Sequence, residues 1–393
     1  MVELGIVGKP NAGKSTFFSA ATMHVVPVEA RPFTTIEPNY GVAHVRHPCP
    51  HTELGRPCNP RHGFCVDGTR FTPIKLIDVA GLVEGAHAGR GLGNRFLDNL
   101  RVADGLIHVV DASGSTDGDG NRVPVGYWDP ERDVEMLDRE IVLWVKGILE
   151  RDWNTLLRRA RVQRREIHEE LSKKLSGLGF TEDAIRDSLR RVGGDPESWG
   201  SRELEELAGI LVGKRFPTTI VANKADIAPR ENVERLVEKY EAVPASADYE
   251  LLLRLAASKG LIEYTPGEGE FRIKEPSRLS EAQLRALRKV EEFLAEFGST
   301  GVQEALEKTV FGKLDMIVVF PVEDENRWTD KEGNVLPDAF LLKRGSTALD
   351  LAYAVHTDLG EGFIRAIDGR SKRALGRDYV LKHLDVIKIV ARA

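Results

Sequence analysis

The stretch that decides the fold is Gly8-Lys9-Pro10-Asn11-Ala12-Gly13-Lys14-Ser15. A glycine followed after four residues by Gly-Lys-Ser is the pattern of a phosphate-binding P-loop. The apolar run Leu4–Val7 before it predicts a buried strand, and a helical stretch follows it. The glycines allow a turn whose backbone N–H groups point at phosphate oxygens, and the helix N-terminus adds a partial positive charge. The pattern therefore predicts a nucleotide-phosphate site in an α/β fold.

Every residue of this loop is assigned to nucleotide binding: Gly8, Lys9, Pro10, Asn11, Ala12, Gly13, Lys14, Ser15 and the next residue, Thr16. Lys14 is expected to reach the β- and γ-phosphates as a catalytic cation, and Ser15 to ligate Mg²⁺. A second part, Asp78-Val79-Ala80-Gly81, ends another apolar strand. There Asp78 is expected to hold Mg²⁺, and the backbone N–H of Gly81 to sense the γ-phosphate during catalysis. Mg²⁺ is thus a predicted cofactor.

A third part, Asn223-Lys224-Ala225-Asp226, also ends a strand. The carboxylate of Asp226 can accept hydrogen bonds from N1–H and the exocyclic amine of guanine, whereas adenine offers neither donor there. A buried carboxylate without a partner is costly, so the discrimination between the two bases is expected to be large. Asn223 and Lys224 are predicted to brace the base and the P-loop, and Ser246-Ala247 to contact guanine O6 through a backbone N–H.

Thr34-Thr35 lie between the P-loop and Asp78, in the segment Arg-Pro-Phe-Thr-Thr-Ile-Glu-Pro. A threonine at this place in the order of motifs binds Mg²⁺ and the γ-phosphate only when the triphosphate is present. Thr35 is therefore predicted to be a metal-binding and catalytic switch residue. The alternative is an ordinary linker rich in β-forming residues.

The composition of the 393-residue chain fits two or three globular domains, because 41% of its residues are hydrophobic and 30% are charged. The net charge of −6 excludes a generic nucleic-acid binder, and no DNA partner is expected. No apolar run has the length of a membrane span, so no membrane partner is expected. The N-terminus lacks the basic start of a signal peptide, and three cysteines are too few for a disulfide framework. These features predict a cytoplasmic protein.

Short apolar runs separated by glycine-rich turns predict a mostly parallel α/β sheet flanked by helices, built from residues 1–130 and 212–313. Residues 131–211 are charge-dense with apolar residues at helical spacing, which predicts an inserted helical domain. Residues 314–393 combine short strands with one helix that starts near Thr347. This last segment is predicted to be a separate small α+β domain.

Together these parts resemble a translation-factor-class GTPase. Pro32–Asn39 and Asp78–Leu97 are similar to the Obg family, and most of all to its YchF branch, the Obg-like ATPases. That branch carries a helical insertion in its G domain and a C-terminal TGS domain of the β-grasp type. Leu342–Thr347 and Ala354–Leu359 resemble TGS sequences of this branch and of the related DRG proteins. The resemblance covers nearly the whole chain and implies a P-loop nucleotide hydrolase.

The chain departs from the branch at one position. YchF-like proteins usually lack the aspartate of the Asn-Lys-x-Asp motif and prefer ATP, whereas this chain has Asp226, so GTP and GDP are the expected ligands. Leu82 stands where Ras-type proteins place a water-orienting glutamine, which predicts slow hydrolysis. The resemblance implies a substitute, a K⁺ ion ligated by Asn11, although Asn11 could instead satisfy its own loop backbone. His87 is either a catalytic base or a solvated residue.

Three histidines and all three cysteines fall within nineteen positions: His47, Cys49, His51, Cys58, His62 and Cys65. Zinc could take four of them. However, the Cys-x-x-Cys spacing of a zinc knuckle is missing, and the prolines of this segment suit a hairpin loop. The sequence leaves both interpretations open.

Two basic segments are candidate RNA surfaces. Ile364–Arg392 has eight lysines and arginines against three acidic residues. This composition is typical of an RNA-contacting surface, and TGS domains are suspected of that role. In the helical insertion, Arg158, Arg161 and Arg165 share one helix face. Each segment could instead be a solvated face.

The sequence as a whole predicts a slow, Mg²⁺-dependent GTPase whose nucleotide state controls binding to the ribosome or another RNA. Three alternatives remain at this stage. The chain could be an ATPase of the same fold, a nucleotide-gated binding module with negligible turnover, or a stress or redox sensor that acts through its cysteines.

Overall fold

The computed structural model describes residues 1–24, 38–79, 81–88 and 100–392. The chain forms two compact units. The larger unit comprises Glu3–Gly41 and Leu76–Ala305, and the smaller comprises Met1–Val2, Val42–Lys75 and Leu306–Ala393. By its contacts, Val42–Lys75 groups with the C-terminal segment, although it lies between two motifs of the predicted α/β domain. The domain boundaries given above remain a prediction.

The main sheet contains the strands that carry the predicted motifs. Its members are β1 (Glu3–Val7), β2 (Asn39–Pro48), β3 (Phe64–Val66), β4 (Thr69–Asp78), β5 (Gly105–Asp111), β6 (Thr218–Asn223) and β7 (Val243–Pro244). The order is β2-β4-β1-β5-β6-β7, with β3 on β4. Strands β1, β5, β6 and β7 are parallel, and β3 pairs antiparallel with β4. Every residue of β5 is buried, as expected for a central parallel strand.

Helices follow the strands in the larger unit. They are α1 (Lys14–Thr22), α7 (Arg230–Tyr240), α8 (Ala247–Ser258), α9 (Glu281–Phe297) and α10 (Val302–Glu307), numbered in chain order. A small antiparallel pair, β8 (Ile262–Glu263) and β9 (Arg272–Ile273), lies between α8 and α9. Helix α9 begins at a capping box of Ser280 and Gln283 and ends at Gly298 in the left-handed region. A π-helical segment, Lys308–Lys313, follows α10.

The helical insertion has four helices: α3 (Glu131–Gln163), α4 (Ile167–Leu175), α5 (Glu182–Val192) and α6 (Ser201–Arg215). The long helix α3 buries one face because its apolar residues recur every three or four positions: Leu137, Ile141, Val145, Leu149, Trp153 and Leu156. They pack in one core with apolar residues of α4, α5 and α6. The indole of Trp153 stacks on Trp199, with ring centroids 5.6 Å apart. The predicted insertion is therefore confirmed as a helical domain.

The smaller unit contains a second sheet of order β11-β10-β14-β12-β13. Its strands are β10 (Met316–Val322), β11 (Phe340–Lys343), β12 (Phe363–Asp368), β13 (Ala374–Leu375) and β14 (Asp385–Ala391). Only β10 and β14 pair in parallel among them. Its helices are α2 (His51–Leu54), α11 (Ala348–Val355) and α12 (Thr357–Glu361). Thr347 is the N-cap of α11, and its hydroxyl accepts from the N–H of Asp350, so the predicted helix start is confirmed. The prediction of one helix in residues 314–393 was wrong, because α12 follows α11 there.

None of the helices in the described part of the chain combines the length and the apolar character needed to cross a membrane.

Candidate nucleotide-binding site

The P-loop joins β1 to α1, and its glycines have backbone angles and surroundings that exclude a side chain. Gly8 has a φ of +143°, and a Cβ there would lie 2.4 Å from the carbonyl oxygen of Val109. Gly13 has a φ of +102°, and a Cβ there would lie 2.2 Å from the side-chain nitrogen of Asn223. Both positions therefore require glycine, which explains the spacing of the motif.

Lys14 begins helix α1 and is buried. Its ammonium donates a hydrogen bond to the carbonyl oxygen of Lys9 at 2.8 Å, within the P-loop. Burial lowers the pKa of this ammonium to about 8, although the charge of Asp78 acts in the opposite direction. Burial of this cation therefore opposes folding, as is common for groups kept for function. A phosphate group in the loop would supply the missing counter-charge.

Ser15 and Asp78 meet at the predicted Mg²⁺ site. The hydroxyl of Ser15 donates to Oδ2 of Asp78 at 2.9 Å. The other oxygen, Oδ1 of Asp78, is buried and has no hydrogen-bond partner among the described residues. Burial raises the pKa of this carboxyl group, against the effects of Lys14 and Ser15. A hydroxyl and a carboxylate with an unsatisfied buried oxygen fit Mg²⁺, which prefers oxygen ligands.

The segment after Asp78 lies against the P-loop. A Cβ on Gly81 would lie 2.8 Å from Cγ of Pro10. The N–H of Leu82 donates to the carbonyl oxygen of Gly8 at 3.1 Å. The side chain of Leu82 is only 1% exposed and belongs to the apolar core. The structure thus brings the predicted γ-phosphate sensor to the P-loop, next to a leucine that has no polar side-chain atom.

Asn223 is the last residue of β6 and connects the P-loop to the segment before α8. Its Nδ2 donates to the carbonyl oxygen of Ala12 at 3.0 Å, and its Oδ1 accepts from the N–H of Ala247 at 3.1 Å. Ser246 is the N-cap of α8, and its hydroxyl accepts from the N–H of Tyr249. The predicted contact residues Ser246 and Ala247 are therefore held close to the Asn-Lys-x-Asp motif.

Lys224 also braces the P-loop. Its Nζ donates to the carbonyl oxygen of Asn11 and to the carboxylate of Asp111, each at 2.9 Å. Asp111 is fully buried at the end of β5 and also accepts from the hydroxyls of Ser115 and Thr116. Burial acts to raise the pKa of Asp111, but Lys224 and the hydroxyl donors outweigh it, so the pKa lies below its usual value.

Sequence reasoning missed Asp111. The available signal was its place as the last residue of a buried parallel strand. Asp78 and Asn223 also end strands of this sheet, and α/β proteins bind ligands at the carboxyl ends of their strands.

Asp226 differs from these braces. Its carboxylate is partly exposed and makes no hydrogen bond to a described residue. Asp248, in the first turn of α8, has its pKa raised by burial and also by the charge of Asp226. The Asn-Lys-x-Asp motif therefore presents, at Asp226, a carboxylate whose oxygens accept no hydrogen bond from a described residue.

Known protein families match the chain over these same parts. The family of 50S ribosome-binding GTPases matches residues 3–145. The family described as Obg-like GTPase YGR210-like, G4 motif-containing domain matches residues 221–324, and the TGS domain matches residues 332–391. A GTP-binding protein of Methanocaldococcus jannaschii is 50% identical over 397 aligned positions, which cover 100% of both chains. The ribosome-binding ATPase YchF of Haemophilus ducreyi is 30% identical over 374 positions, 93% of this chain and 87% of that protein. The chain belongs to the YchF branch of the Obg family.

A solved structure supports the same assignment. The crystal structure of a GTP-binding protein from Pyrococcus horikoshii OT3 has a TM-score of 0.80 and 39% sequence identity, and the match covers 100% of both chains. The predicted family and fold are thus confirmed: a P-loop α/β domain with a helical insertion and a C-terminal TGS domain. The chain accordingly belongs to the P-loop nucleotide hydrolases.

In this Obg-family chain, a loop with no predicted role covers part of the P-loop. Nδ2 of Asn11 donates to the carbonyl oxygen of Gly120 at 2.9 Å. Gly120 has a φ of +83°, and a Cβ there would lie 2.7 Å from Cβ of Pro10. The loop that contains Gly120 therefore packs directly on Pro10 and Asn11. Ligation of K⁺ by Asn11 stays a prediction.

A buried ion pair connects the P-loop to the helical insertion. Nζ of Lys9 lies 2.8 Å from the carboxylate of Asp133, in the first turn of α3, and donates to the carbonyl oxygen of Thr116 at 2.7 Å. The indole N–H of Trp128 donates to the same carboxylate at 2.9 Å. Burial lowers the pKa of Lys9 and raises that of Asp133 to about 6, in each case against the partner's charge. Burial therefore opposes the charged form of both partners, and the pair connects the P-loop to the first turn of α3.

Helix α3 also holds the segment after Gly81. The carboxylate of Glu140 accepts from the backbone N–H groups of Gly85 and His87, at 2.8 and 2.9 Å. Nδ1 of His87 lies 2.7 Å from the same carboxylate. Burial acts to raise the pKa of Glu140, but the bonds from His87 and Gly85 lower it overall. His87 thus has a structural partner, and its role as a base is an untested alternative.

The predicted switch residue Thr35 lies outside the described residues, as do its neighbour Thr34 and Ala80 of the Asp78–Gly81 motif.

Proposed function

We propose that this chain is a cytoplasmic protein that binds GTP in preference to ATP and hydrolyses it slowly with Mg²⁺. We further propose that the bound nucleotide controls its attachment to the ribosome or another RNA. The observation that carries the guanine preference is Asp226, a carboxylate without a hydrogen-bond partner among the described residues, beside the braced Asn223 and Lys224. Its two oxygens match the two donors of guanine.

The phosphate end of the site supports hydrolysis. Lys14 would exchange its internal bond to Lys9 for the β- and γ-phosphates, and the N–H of Gly81 would donate to the γ-phosphate. Ser15 and Asp78 would hold Mg²⁺, with Thr35 joining them in the triphosphate state; the ion supplies positive charge to the phosphate oxygens. These groups place positive charge where negative charge develops in the transition state.

Leu82 supports a slow intrinsic rate. Its buried side chain has no polar atom with which to orient the attacking water. Asn11 is the proposed ligand of a K⁺ ion that would supply a further positive charge. The bond to Gly120 uses the nitrogen of the Asn11 amide, whereas K⁺ would be bound by an amide oxygen. Faster hydrolysis in KCl than in NaCl is the result that this role requires.

The experiment for the base is competition between GTP, GDP and ATP on nucleotide-free protein. We expect wild-type protein to bind GTP at least tenfold more tightly than ATP. Asp226→Asn should lose about tenfold to a hundredfold of its GTP affinity, because hydrogen bonds to a charged acceptor are worth about 1.5–3 kcal/mol. ATP affinity should hardly change, since adenine has no donor for this carboxylate.

Glu231→Gln is the matched control. Glu231 is exposed in the first turn of α7 and has no predicted role. Its substitution by glutamine removes one negative charge, as Asp226→Asn does. If wild-type protein binds ATP as tightly as GTP, the chain is an ATPase of this fold, like the ribosome-binding ATPase YchF of Haemophilus ducreyi. If Asp226→Asn and Glu231→Gln behave alike, Asp226 does not read the base.

The basic C-terminal segment supports an RNA partner. Five of its cations are exposed and make no ion pair with a described residue: Arg365, Arg373, Arg377, Lys382 and Arg392. In the helical insertion, by contrast, Arg161 pairs with Glu197 and Arg165 with Glu170. The predicted common helix face of Arg158, Arg161 and Arg165 was wrong, because α3 ends at Gln163, before Arg165. Free cations suit contact with phosphates, because each contact releases a counterion. The match to 50S ribosome-binding GTPases makes the ribosome the first partner to test.

The double substitution Arg373→Glu/Arg377→Glu should weaken binding to purified ribosomes at least tenfold in the presence of a non-hydrolysable GTP analogue. The salt dependence of binding should also fall, by about one unit of slope per lost phosphate contact. The matched control is Arg158→Glu/Arg159→Glu, the same charge change on exposed residues of α3. If only that control weakens binding, the helical insertion is the ribosome surface and the C-terminal segment is not.

A further inference from the structure

Four side chains in the segment Cys49–Cys65 point their ligand atoms at one another. They are Cys49, His51, Cys58 and Cys65, and their Sγ and ring-nitrogen atoms all lie within 4.8 Å of one another. Cys49 directly follows β2, His51 begins the short helix α2, Cys58 lies in the loop after it, and Cys65 lies in β3. The fold thus brings together four residues whose spacing in sequence lacks the Cys-x-x-Cys pattern of a zinc knuckle.

Two of the six distances between the ligand atoms are close to the edges of a tetrahedral zinc centre. Sγ of Cys49 and Sγ of Cys58 are 3.8 Å apart, and Sγ of Cys65 is 3.7 Å from Nδ1 of His51. Zinc bonds of about 2.3 Å to sulfur and about 2.0 Å to nitrogen give tetrahedron edges of about 3.8 Å between sulfurs and about 3.5 Å between sulfur and nitrogen. A disulfide needs an S–S separation of about 2.05 Å, and all three cysteines are free.

The other two histidines of this region are outside the cluster. Both ring nitrogens of His47 are engaged, Nδ1 with the carbonyl oxygen of Pro48 at 3.0 Å and Nε2 with the hydroxyl of Thr72 at 2.8 Å. His62 is exposed. Among the six candidates from the sequence, the structure therefore selects four, the number of ligands in a closed zinc site.

A buried cation beside the cluster points to the same occupant. Arg70 is 0% exposed and has no carboxylate partner in the described part of the chain. Its NH1 lies 3.7 Å from Sγ of Cys58, and its guanidinium donates to the carbonyl oxygens of Leu336 and Pro337 at 3.1 and 3.0 Å. A buried guanidinium without an anion is costly. Zn²⁺ with three thiolates and a neutral imidazole carries one net negative charge, which would balance it.

We propose that Cys49, His51, Cys58 and Cys65 bind one zinc ion. All four coordination positions come from protein, so the ion is structural and has no position for a substrate. The segment that it closes pairs with the C-terminal part of the same unit. The N–H groups of Asn59 and Arg61 donate to the carbonyl oxygens of Val335 and Pro337, each at 2.8 Å. Zinc would therefore hold Val42–Lys75 in the form that binds residues 335–337.

The test uses full-length protein prepared without a metal-affinity tag. Elemental analysis should find about one zinc per chain in wild-type protein. Cys58→Ser and Cys65→Ser should each lose the zinc, whereas His62→Ala, an exposed histidine of the same loop, should keep it. Cobalt exchanged into wild-type protein should give the thiolate-to-cobalt absorption of a tetrahedral site. Chelation should lower the Tm of wild-type protein by about 5 °C or more and leave that of Cys58→Ser unchanged.

The far-UV circular dichroism spectrum at room temperature is the check that the variants are folded, and it should match that of wild-type protein in all of them. The proposal is wrong if wild-type protein holds no zinc after incubation with micromolar zinc, or if Cys58→Ser retains a full equivalent. It is equally wrong if mass analysis of protein purified without reductant finds the cysteines of the cluster joined as a disulfide, because that result makes the cluster a redox pair.

Discussion

Lys14→Met should lower the rate of GTP hydrolysis by about two to three orders of magnitude, the usual cost of removing one donor that stabilises transition-state charge. Methionine keeps most of the volume of the buried lysine but carries no charge and cannot donate to a phosphate. Affinity for GTP should fall more than affinity for GDP, because the predicted contacts of Lys14 include the γ-phosphate. Single-turnover hydrolysis in Mg²⁺ at saturating protein separates the loss of rate from the loss of binding.

The stability of the same variant distinguishes a functional lysine from a structural one. Burial holds the pKa of Lys14 at about 8, so its charged form opposes folding, and removing that charge should leave the Tm unchanged or raise it. Lys259→Ala, which removes an exposed lysine at the end of α8, is the control and should retain full hydrolysis. A Tm that falls together with activity in Lys14→Met would show that this lysine is part of the folding core.

The motifs of the phosphate and base sites could be predicted from sequence because each is local. The eight residues from Gly8 to Ser15 contain their own turn, and Asn223–Asp226 directly follows a buried strand. The bounds of the strands were harder to predict from sequence. The apolar strand predicted to end at Asp78 is longer than its apolar run: β4 begins at Thr69, and Arg70 and Pro73 interrupt that run in its first half. The buried guanidinium of Arg70 donates to the backbone carbonyl oxygens of Leu336 and Pro337, and a single sequence does not reveal such a contact.

Contacts between distant parts of the chain could not be predicted. Lys9 looked like an ordinary P-loop residue, and only the fold places Asp133 beside it. The cysteines show the same limit. Their spacing in sequence fits no zinc motif, whereas three separate elements bring their sulfur atoms together. Local spacing therefore predicted which residues could bind a nucleotide, and tertiary structure was needed to show what supports them.

Asp111→Asn should be strongly destabilising, by about 3–5 kcal/mol, the typical cost of removing one charge from a buried, hydrogen-bonded pair. Asparagine has one acceptor oxygen, so it cannot accept both the bonds to Oδ2 from Lys224, Ser115 and Thr116 and the bonds to Oδ1 from the N–H and hydroxyl of Ser113. It also leaves the cation of Lys224 without a counter-charge. Chemical denaturation monitored by circular dichroism measures the change. Asp104→Asn, an exposed aspartate just before β5, is the control and should change stability by less than about 1 kcal/mol.

The sign of the pH dependence follows from the lowered pKa of Asp111. Its contribution to stability is present above the unfolded pKa of about 4 and is lost as pH falls through the lower folded pKa. Wild-type protein should therefore lose stability more steeply below about pH 4 than Asp111→Asn. Equal slopes in the two proteins would show that the carboxylate gains nothing from its partners in the folded state.

Because Asp111 holds Lys224, substitution of Asp111 should lower both the stability of the protein and its affinity for nucleotide. Substitution of Asp226 should lower the affinity without the loss of stability. Lys224 reaches Asn11 of the P-loop from the position where Asp111 holds it, so Asp111→Asn should also weaken GTP binding, by less than Asp226→Asn. Lys224→Met and the double variant complete a mutant cycle, whose coupling energy should exceed about 1 kcal/mol. A coupling near zero would mean that Lys224 and Asp111 act independently, and that Asp111 does not position Lys224 for its bond to Asn11.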